Sequence, residues 1–305
     1  MSFWKSLPGA VLVVVLVGAV VGTCALGYEV QRVTHPPRPA EAAANLGVEL
    51  AKAEEIAFSA TDGVALNGWL LTGAAGKPAI VLCHDYGATK NALINVAIVL
   101  NQAGFTVLAF DFRAHGASGG TLTTLGIDEA RDVLAAVDFV ARLAPKGIDT
   151  RRIGAYGTGM GAHAIVLAAA ERPALRVLVL DGLWPDAGWP LAHRVFEDWP
   201  FCIKHCAGLA KTAFAVVAGT QVGEHRAADA LRGLAGRDVL LVAPAGDGKL
   251  EAAMKTMYDG LPERRDSERG LLTLPATEGS GLSASDLARY HARVVEFFAS
   301  RLAPR

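Results

Sequence analysis

From about residue 54 to the end of the chain, short unbroken apolar runs alternate with stretches of helical spacing. Glu54–Leu71, "EEIAFSATDGVALNGWLL", reads as two strand-like runs around Asp62-Gly63, a hairpin turn signal. "PAIVLCH" (Pro78–His84) and "FTVLAFD" (Phe105–Asp111) are continuous apolar runs, suited to strands buried on both faces. A helical stretch, Asn91–Gln102, lies between them. "IDEARDVLAAVDFVARL" then places Ile127, Leu134, Val137, Val140 and Leu143 at helical spacing. The alternation continues with strand "RIGAYG", helix "AHAIVLAAAE", strand "RVLVLD" and strand "DVLLVA" (Asp238–Ala243). A strand at "GLLTLP" and a helix at "SDLARYHARVVEFFASRL" close the chain. Strands alternating with helices predict an α/β fold with a mostly parallel central sheet flanked by helices, with the hairpin adding antiparallel strands at its start. The rhythm breaks between about residues 183 and 236, where "LWPDAGWPLAHRVFEDWPF" holds three of the five tryptophans. This interval is expected to be an inserted cap over the carboxyl edge of the sheet, where ligands bind in such folds.

The first 53 residues follow a different pattern. No residue between Lys5 and Glu29 is charged, and "GAVLVVVLVGAVVGTCALG" is almost wholly apolar. At helical rise the run spans roughly 30 Å, the thickness of a bilayer core. Residues 1–29 are therefore expected to be an N-terminal transmembrane anchor. A cleaved signal peptide is the alternative: its apolar region is usually shorter, but "TCA" (Thr23–Ala25) resembles a small-residue cleavage site. The flanking charges, Lys5, Arg32 and Arg38, are too few to assign the side of the membrane. "THPPRPAEAAAN" is polar and proline-containing, so residues 30–53 read as a tether and residues 54–305 as the folded domain.

Composition narrows the function classes. The chain has 305 residues, 52% hydrophobic and 19% charged, and a formal net charge of −1 with acids and bases mixed, a balance that argues against a nucleic-acid footprint. Its four cysteines are too few and too unevenly spaced for a disulfide framework. Cys202 and Cys206 flank His205, but zinc sites usually add a second ligand pair, so these read as apolar residues on one helical face. The spaced glycines of "GTGMGA" do not fit the dinucleotide-binding pattern. No cofactor or metal is expected.

Four motifs occur in order: "VLCHDYG" after a strand, "FDFRAHGASGG" (Phe110–Gly120), "TLGIDEARDVLAAVDFV" in the next helix, and "IGAYGTGMGAH" at a strand-to-helix turn. Together they resemble the α/β-hydrolase superfamily, in particular its membrane-anchored serine esterase and aminopeptidase-like members, over roughly residues 54–302. The resemblance implies a serine, acid and histidine in that chain order. The serine position falls on Gly159, which has no side chain. The acid position falls on Asp247, at the end of "LLVAPAGD"; an ordinary surface-loop aspartate is the other reading. The histidine belongs in "LPATEGSGLSASD", which contains none, and the best-matching position is Gly279. The backbone N–H groups of Tyr86 and Met160 would form the oxyanion hole, with Asp85 in place of the usual glycine; its carboxylate would repel an oxyanion or fill the hole itself. His84 and His163 lie near the pocket and read as structural. The resemblance therefore points to a membrane-anchored pseudoenzyme binding a small ligand or a protein partner. Two readings stay open beside it: a serine-independent ester or amide hydrolase using Asp247 or Asp85, and a structural scaffold at the membrane.

Overall fold

The computed structural model describes residues 3–38, 53–144, 147–194, 203–221, 223, 225–234, 236–261, 269–275 and 282–303. Eight strands form one sheet: β1 (Glu54–Ser59), β2 (Ala65–Leu71), β3 (Pro78–Cys83), β4 (Thr106–Phe110), β5 (Asp149–Thr158), β6 (Leu175–Asp181), β7 (Asp238–Pro244) and β8 (Arg269–Leu274). Their spatial order is β1-β2-β4-β3-β5-β6-β7-β8. β2 runs antiparallel to both neighbours, and every pairing from β4 through β8 is parallel. β3, β4 and β7 are buried at every position, which is why their sequences are continuous apolar runs rather than alternating ones.

Helices cover both faces. On one face α2 (Ile94–Gln102) and α9 (Ala284–Arg301) share a core with Ile80, Leu82, Tyr156 and Val179. α9 buries Tyr290, Val294, Phe297 and Phe298, spaced i, i+4, i+7 and i+8 along one stripe. Each aromatic ring fully removed from water there contributes about 1.5–3 kcal/mol. The helix starts at Ser283, whose hydroxyl accepts the Asp286 N–H at 3.1 Å. On the other face α3 (Glu129–Ala141) and α4 (Met160–Glu171) pack on Val81, Ala155 and Leu178.

The interval after β6 is helical, with α5 (Trp189–Arg194), α6 (Ile203–Ala218) and α7 (Ala227–Gly233). Trp184 is buried and Trp189 packs on the core, while Trp199 and Cys202 lie outside the described residues.

Three features depart from the sequence reading. The N-terminal helix α1 (Phe3–Thr34) continues past residue 29, where a tether was expected to begin. Its last turns dock on the domain: Val30 and Thr34 are fully buried, the Thr123 N–H donates to Thr34 O at 2.8 Å, and the Arg38 guanidinium donates to Ser118 O at 2.8 Å and to Gly120 O. Here the apolar spacing of Leu26, Val30 and Val33 serves packing rather than lipid. Second, α8 (Gly248–Asp259) follows β7 where the sequence reading placed no helix. It buries only Leu250, Met254 and Met257, a stripe too thin to stand out from its polar neighbours. Third, β5 begins at Asp149, ahead of the expected start at Arg152.

Candidate functional site

The turn between β5 and α4 gives the site its shape. Gly159 holds φ +48° and ψ −110°, a conformation L side chains rarely adopt. A Cβ on Gly157 would come within 2.6 Å of the Ile165 side chain, and one on Gly161 would run into the Cys83 carbonyl. The outer two glycines therefore let α4 lie close against β3 and β5, and the middle one permits the sharp turn.

At Gly159 a Cβ would also overlap the Asp85 carboxylate. Asp85 Oδ1 accepts the N–H of Tyr86 at 2.7 Å and the N–H of Met160 at 2.9 Å. These are the two backbone donors that the resemblance assigns to the oxyanion hole, and both point at one oxygen of this chain. One carboxylate thus occupies both the space beside the turn and the aim of the two donors. An anion held by two N–H groups, one of them at the N-terminus of a helix, is a favourable arrangement.

Two imidazoles brace the Asp85 loop. His84 Nε2 accepts the Phe112 N–H at 3.1 Å, which places the ring proton on Nδ1, donating to Asp85 O at 2.7 Å. His115 repeats the pattern, with Nε2 accepting from Gly87 N–H at 3.1 Å and Nδ1 donating to Arg113 O at 2.8 Å. Burial pushes His84 down to about 3, with the neighbouring His115 adding to the effect, so the ring is neutral at pH 7. His163 is fully buried, bonds Trp184 O at 3.2 Å, and is likewise lowered by burial, to about 4.

The polar residues of "FDFRAHGASGG" form the frame behind this loop. Asp111 accepts from Lys90 Nζ and Lys90 N–H, both at 2.7 Å, and from Ala117 N–H at 3.0 Å. Arg113 bridges Asp132 at 2.6 Å and Asp62 at 2.8 Å. Ser118 donates to Asp111 O at 2.5 Å and accepts from Asn67 N–H at 2.9 Å. Because each of these buried groups is satisfied internally, the motif holds the loop rather than facing a substrate.

Asp247 lies apart from this cluster in its contacts. It is exposed at the start of α8, and its Oδ1 accepts the N–H groups of Lys249 at 3.1 Å and Leu250 at 3.0 Å. That is helix capping, the role of an ordinary Asp before a helix. Gly279 and the side chains of His205 and Cys206 lie outside what the structure describes.

The end of α1 was missed as part of the site. The Tyr86 hydroxyl donates to Arg32 O at 3.4 Å. Thr123, which holds Thr34 O through its N–H, places its hydroxyl 3.5 Å from Met160 Sδ and 2.6 Å from Glu129. Glu129 in turn accepts from the hydroxyl and N–H of Thr124 and from Gly126 N–H. Nothing in the local pattern of "RVTHPPR" signals this docking, since its hydrogen-bond partners, Tyr86, Ser118, Gly120 and Thr123, are all far away in the chain.

Comparison with known proteins agrees with the geometry. Residues 74–218 match the family model described as serine aminopeptidase, S33. The structure superposes on the esterase Pf2001 of Pyrococcus furiosus with a TM-score of 0.69 at 20% identity, covering 89% of this chain and 99% of that one. The chain has the α/β-hydrolase fold. Est1E of Butyrivibrio proteoclasticus, solved with ferulic acid bound, gives a TM-score of 0.62 at 19% identity, covering 82% of this chain and all of that one. In sequence the chain is 28% identical over 121 residues to an uncharacterized protein of Mycobacterium tuberculosis, covering 39% of this chain and 42% of that protein. It is 32% identical over 127 residues to the thiohydrolase aneE of Aspergillus aculeatus, covering 41% of this chain and 40% of that one. The chain thus spans between 40% and 59% of the length of the curated relatives it matches here.

Proposed function

We propose that this α/β-hydrolase is a membrane-held, catalytically silent member of its superfamily that binds an ester- or thioester-like ligand or a protein partner without cleaving it. The observation that carries the reading is Asp85. Its carboxylate takes both backbone donors that would stabilise a developing oxyanion, in the space beside a turn that has no nucleophile. A negative charge in that position opposes the charge that acyl transfer must build there. Glycine at 279 supports the same conclusion, because no histidine stands in the segment where the family places one. The ligand class follows the relatives, a thiohydrolase, an esterase and a protein solved with ferulic acid bound.

Hydrolysis without serine is less well supported. Asp85 Oδ1 is taken up by two N–H groups and Asp247 Oδ1 by two more, so each carboxylate is engaged as an acceptor.

Two observations support the membrane. Ahead of its docked turns, α1 carries an apolar stretch within Val11–Thr34 whose 18-residue window has mean hydropathy 2.4, long and apolar enough to cross a bilayer. In addition, the large exposed hydrophobic residues among the described ones, from Val11 to Tyr28 and then Leu209, Val216 and Val217, all belong to α1 or α6. These two helices pack on each other. An apolar surface confined to two adjacent helices is the footprint of a lipid contact.

The test uses the full-length protein in detergent with a panel of nitrophenyl esters and acyl thioesters, and membranes washed with alkaline carbonate. No turnover above buffer and retention in the washed membranes are expected. Turnover abolished by Asp85→Asn or Asp247→Ala would overturn the silent reading, and release by carbonate would overturn the membrane reading.

A further inference from the structure

The parallel strands that end at the turn begin at the opposite edge of the sheet, and there the surface is strongly basic. A cleft of about 470 Å³ opens between the starts of β5, β6 and β7 and the end of α9, with Arg151, Arg152, Arg176 and Arg301 in its walls. The register sets Ile153 beside Leu175 and Val177 beside Asp238, so the residues that precede them in β5 and β6 come together.

The acids at this edge do not balance the cations. Asp149 is shared between Arg151 at 3.2 Å and Arg152 at 2.7 Å, and Asp238 is the one carboxylate in the cleft wall. Behind the wall a fifth guanidinium, Arg237, donates to Leu175 O at 3.2 Å and Ala169 O at 3.0 Å. Burial and the neighbouring charge of Arg176 push its pKa below the ordinary arginine value, as a surplus of positive charge would.

Helix ends explain part of this gathering. Ala169 O, held by Arg237, is near the end of α4, and Ala303 O, held by Arg152, follows α9. Arg151 and Arg176 make no such bond to a helix end: both stand at the cleft mouth, with the Arg151 side chain 87% exposed. Collecting guanidiniums at one edge raises self-repulsion, which an anion between them relieves.

We propose that this cleft is a binding site for a phosphate-bearing small molecule of about the size of a diphosphate or nucleoside diphosphate. Guanidinium forks pair with phosphate oxygens two at a time, and several on different elements hold a chain of phosphates better than a single anion. The volume falls within the usual range of small-molecule sites, roughly 300–1,000 Å³. The same chemistry is offered by a soluble phosphate ester and by a phosphorylated lipid headgroup. The soluble source fits the geometry, since α1 meets the domain at Tyr86, beyond the carboxyl end of β3, whereas the cleft lies at the amino ends of the strands. The inference stands independently of whether the hydrolase site is silent.

Calorimetric titration of the full-length protein in neutral detergent tests it, using inorganic pyrophosphate and ADP as probes, sulfate as a monovalent-site control, and vesicles containing phosphatidylinositol bisphosphate as the lipid arm. Saturable binding of pyrophosphate or ADP is expected, at least about tenfold tighter than sulfate and weakened at least about tenfold by Arg176→Glu, with Arg176→Lys in between. Thermal unfolding without ligand checks that the variants fold, and Arg176→Gln replaces the Glu variant if it does not. Binding that is equal for sulfate and pyrophosphate, or unchanged by Arg176→Glu, would overturn the site. Binding to the vesicles alone would overturn the soluble ligand.

Discussion

Asp85 and Gly159 make sense only as a pair. A serine side chain at 159 would collide with the Asp85 carboxylate, and a glycine at 85 would leave the N–H groups of Tyr86 and Met160 aimed at open space. The sequence exposed both substitutions and the choice that Asp85 posed, to repel an oxyanion or to fill its hole. Only coordinates could show one oxygen accepting both N–H groups, because that depends on a side-chain rotamer. Asp247 teaches the opposite lesson. Its place in "APAGDG" matched the family's acid, yet its bonds are those of a helix cap, and α8 was not legible as a helix. Asp247→Ala is therefore expected to cost about 1 kcal/mol through the lost cap and to leave the Asp85 loop unchanged. Urea unfolding gives the first quantity and the amide shifts of Tyr86 and Met160 the second. Shifted amides at those two residues would instead tie Asp247 to the site.

At the level of elements, the strands were the most legible part. β3, β4 and β7 are buried at every position and β6 at every position but Arg176, and burial on both faces writes itself as a nearly unbroken apolar run. α9 was legible through its strong apolar stripe. What the pattern hid was amphipathic structure with little to bury, as in α8, and docking through backbone atoms, as at the end of α1. Thr34, Arg32 and Arg38 meet the domain through hydrogen bonds that leave no periodic trace. The consequence is mechanical. The last turn of an apolar helix is joined to Tyr86 directly and to Met160 through Thr123, so the two backbone donors around Asp85 belong to residues in contact with that helix or its partner.

For the whole molecule, the balance of buried ionisable groups sets how stability responds to acid. His84, His115 and His163 are all lowered chiefly by burial, to about 3 for His84 and about 4 for His163, whereas in the unfolded chain each titrates near 6.5. Depressed histidines contribute stability that is complete above about pH 6.5 and is lost as pH falls toward their folded values. Asp132 works the other way: burial raises it to about 6 despite the pull of Arg113, so the fold takes up its proton before the unfolded chain does. Three histidines outweigh one carboxylate, so the urea midpoint is expected to fall from pH 7 to pH 5, with a slope of up to about two protons, or ~2.7 kcal/mol per pH unit. A midpoint that holds or rises would show that these rings are charged in the fold, and the bracing of the Asp85 loop would have to be redrawn. The sequence could list these histidines but not their burial, since His84 and His115 lie in loops with no periodicity.

One carboxylate fills the hole beside an empty nucleophile position, and a double-mutant cycle on unfolding free energy tests this pairing directly. Gly159→Ser alone is expected to cost about 3–5 kcal/mol, from the positive φ and the displaced carboxylate together, and Asp85→Gly alone about 1–3 kcal/mol. Combined, they should cost about 1–3 kcal/mol less than the sum, because the two N–H bonds can be lost only once. Strict additivity would mean that Asp85 does not occupy the space beside Gly159 in solution, and the explanation for a silent site would fail.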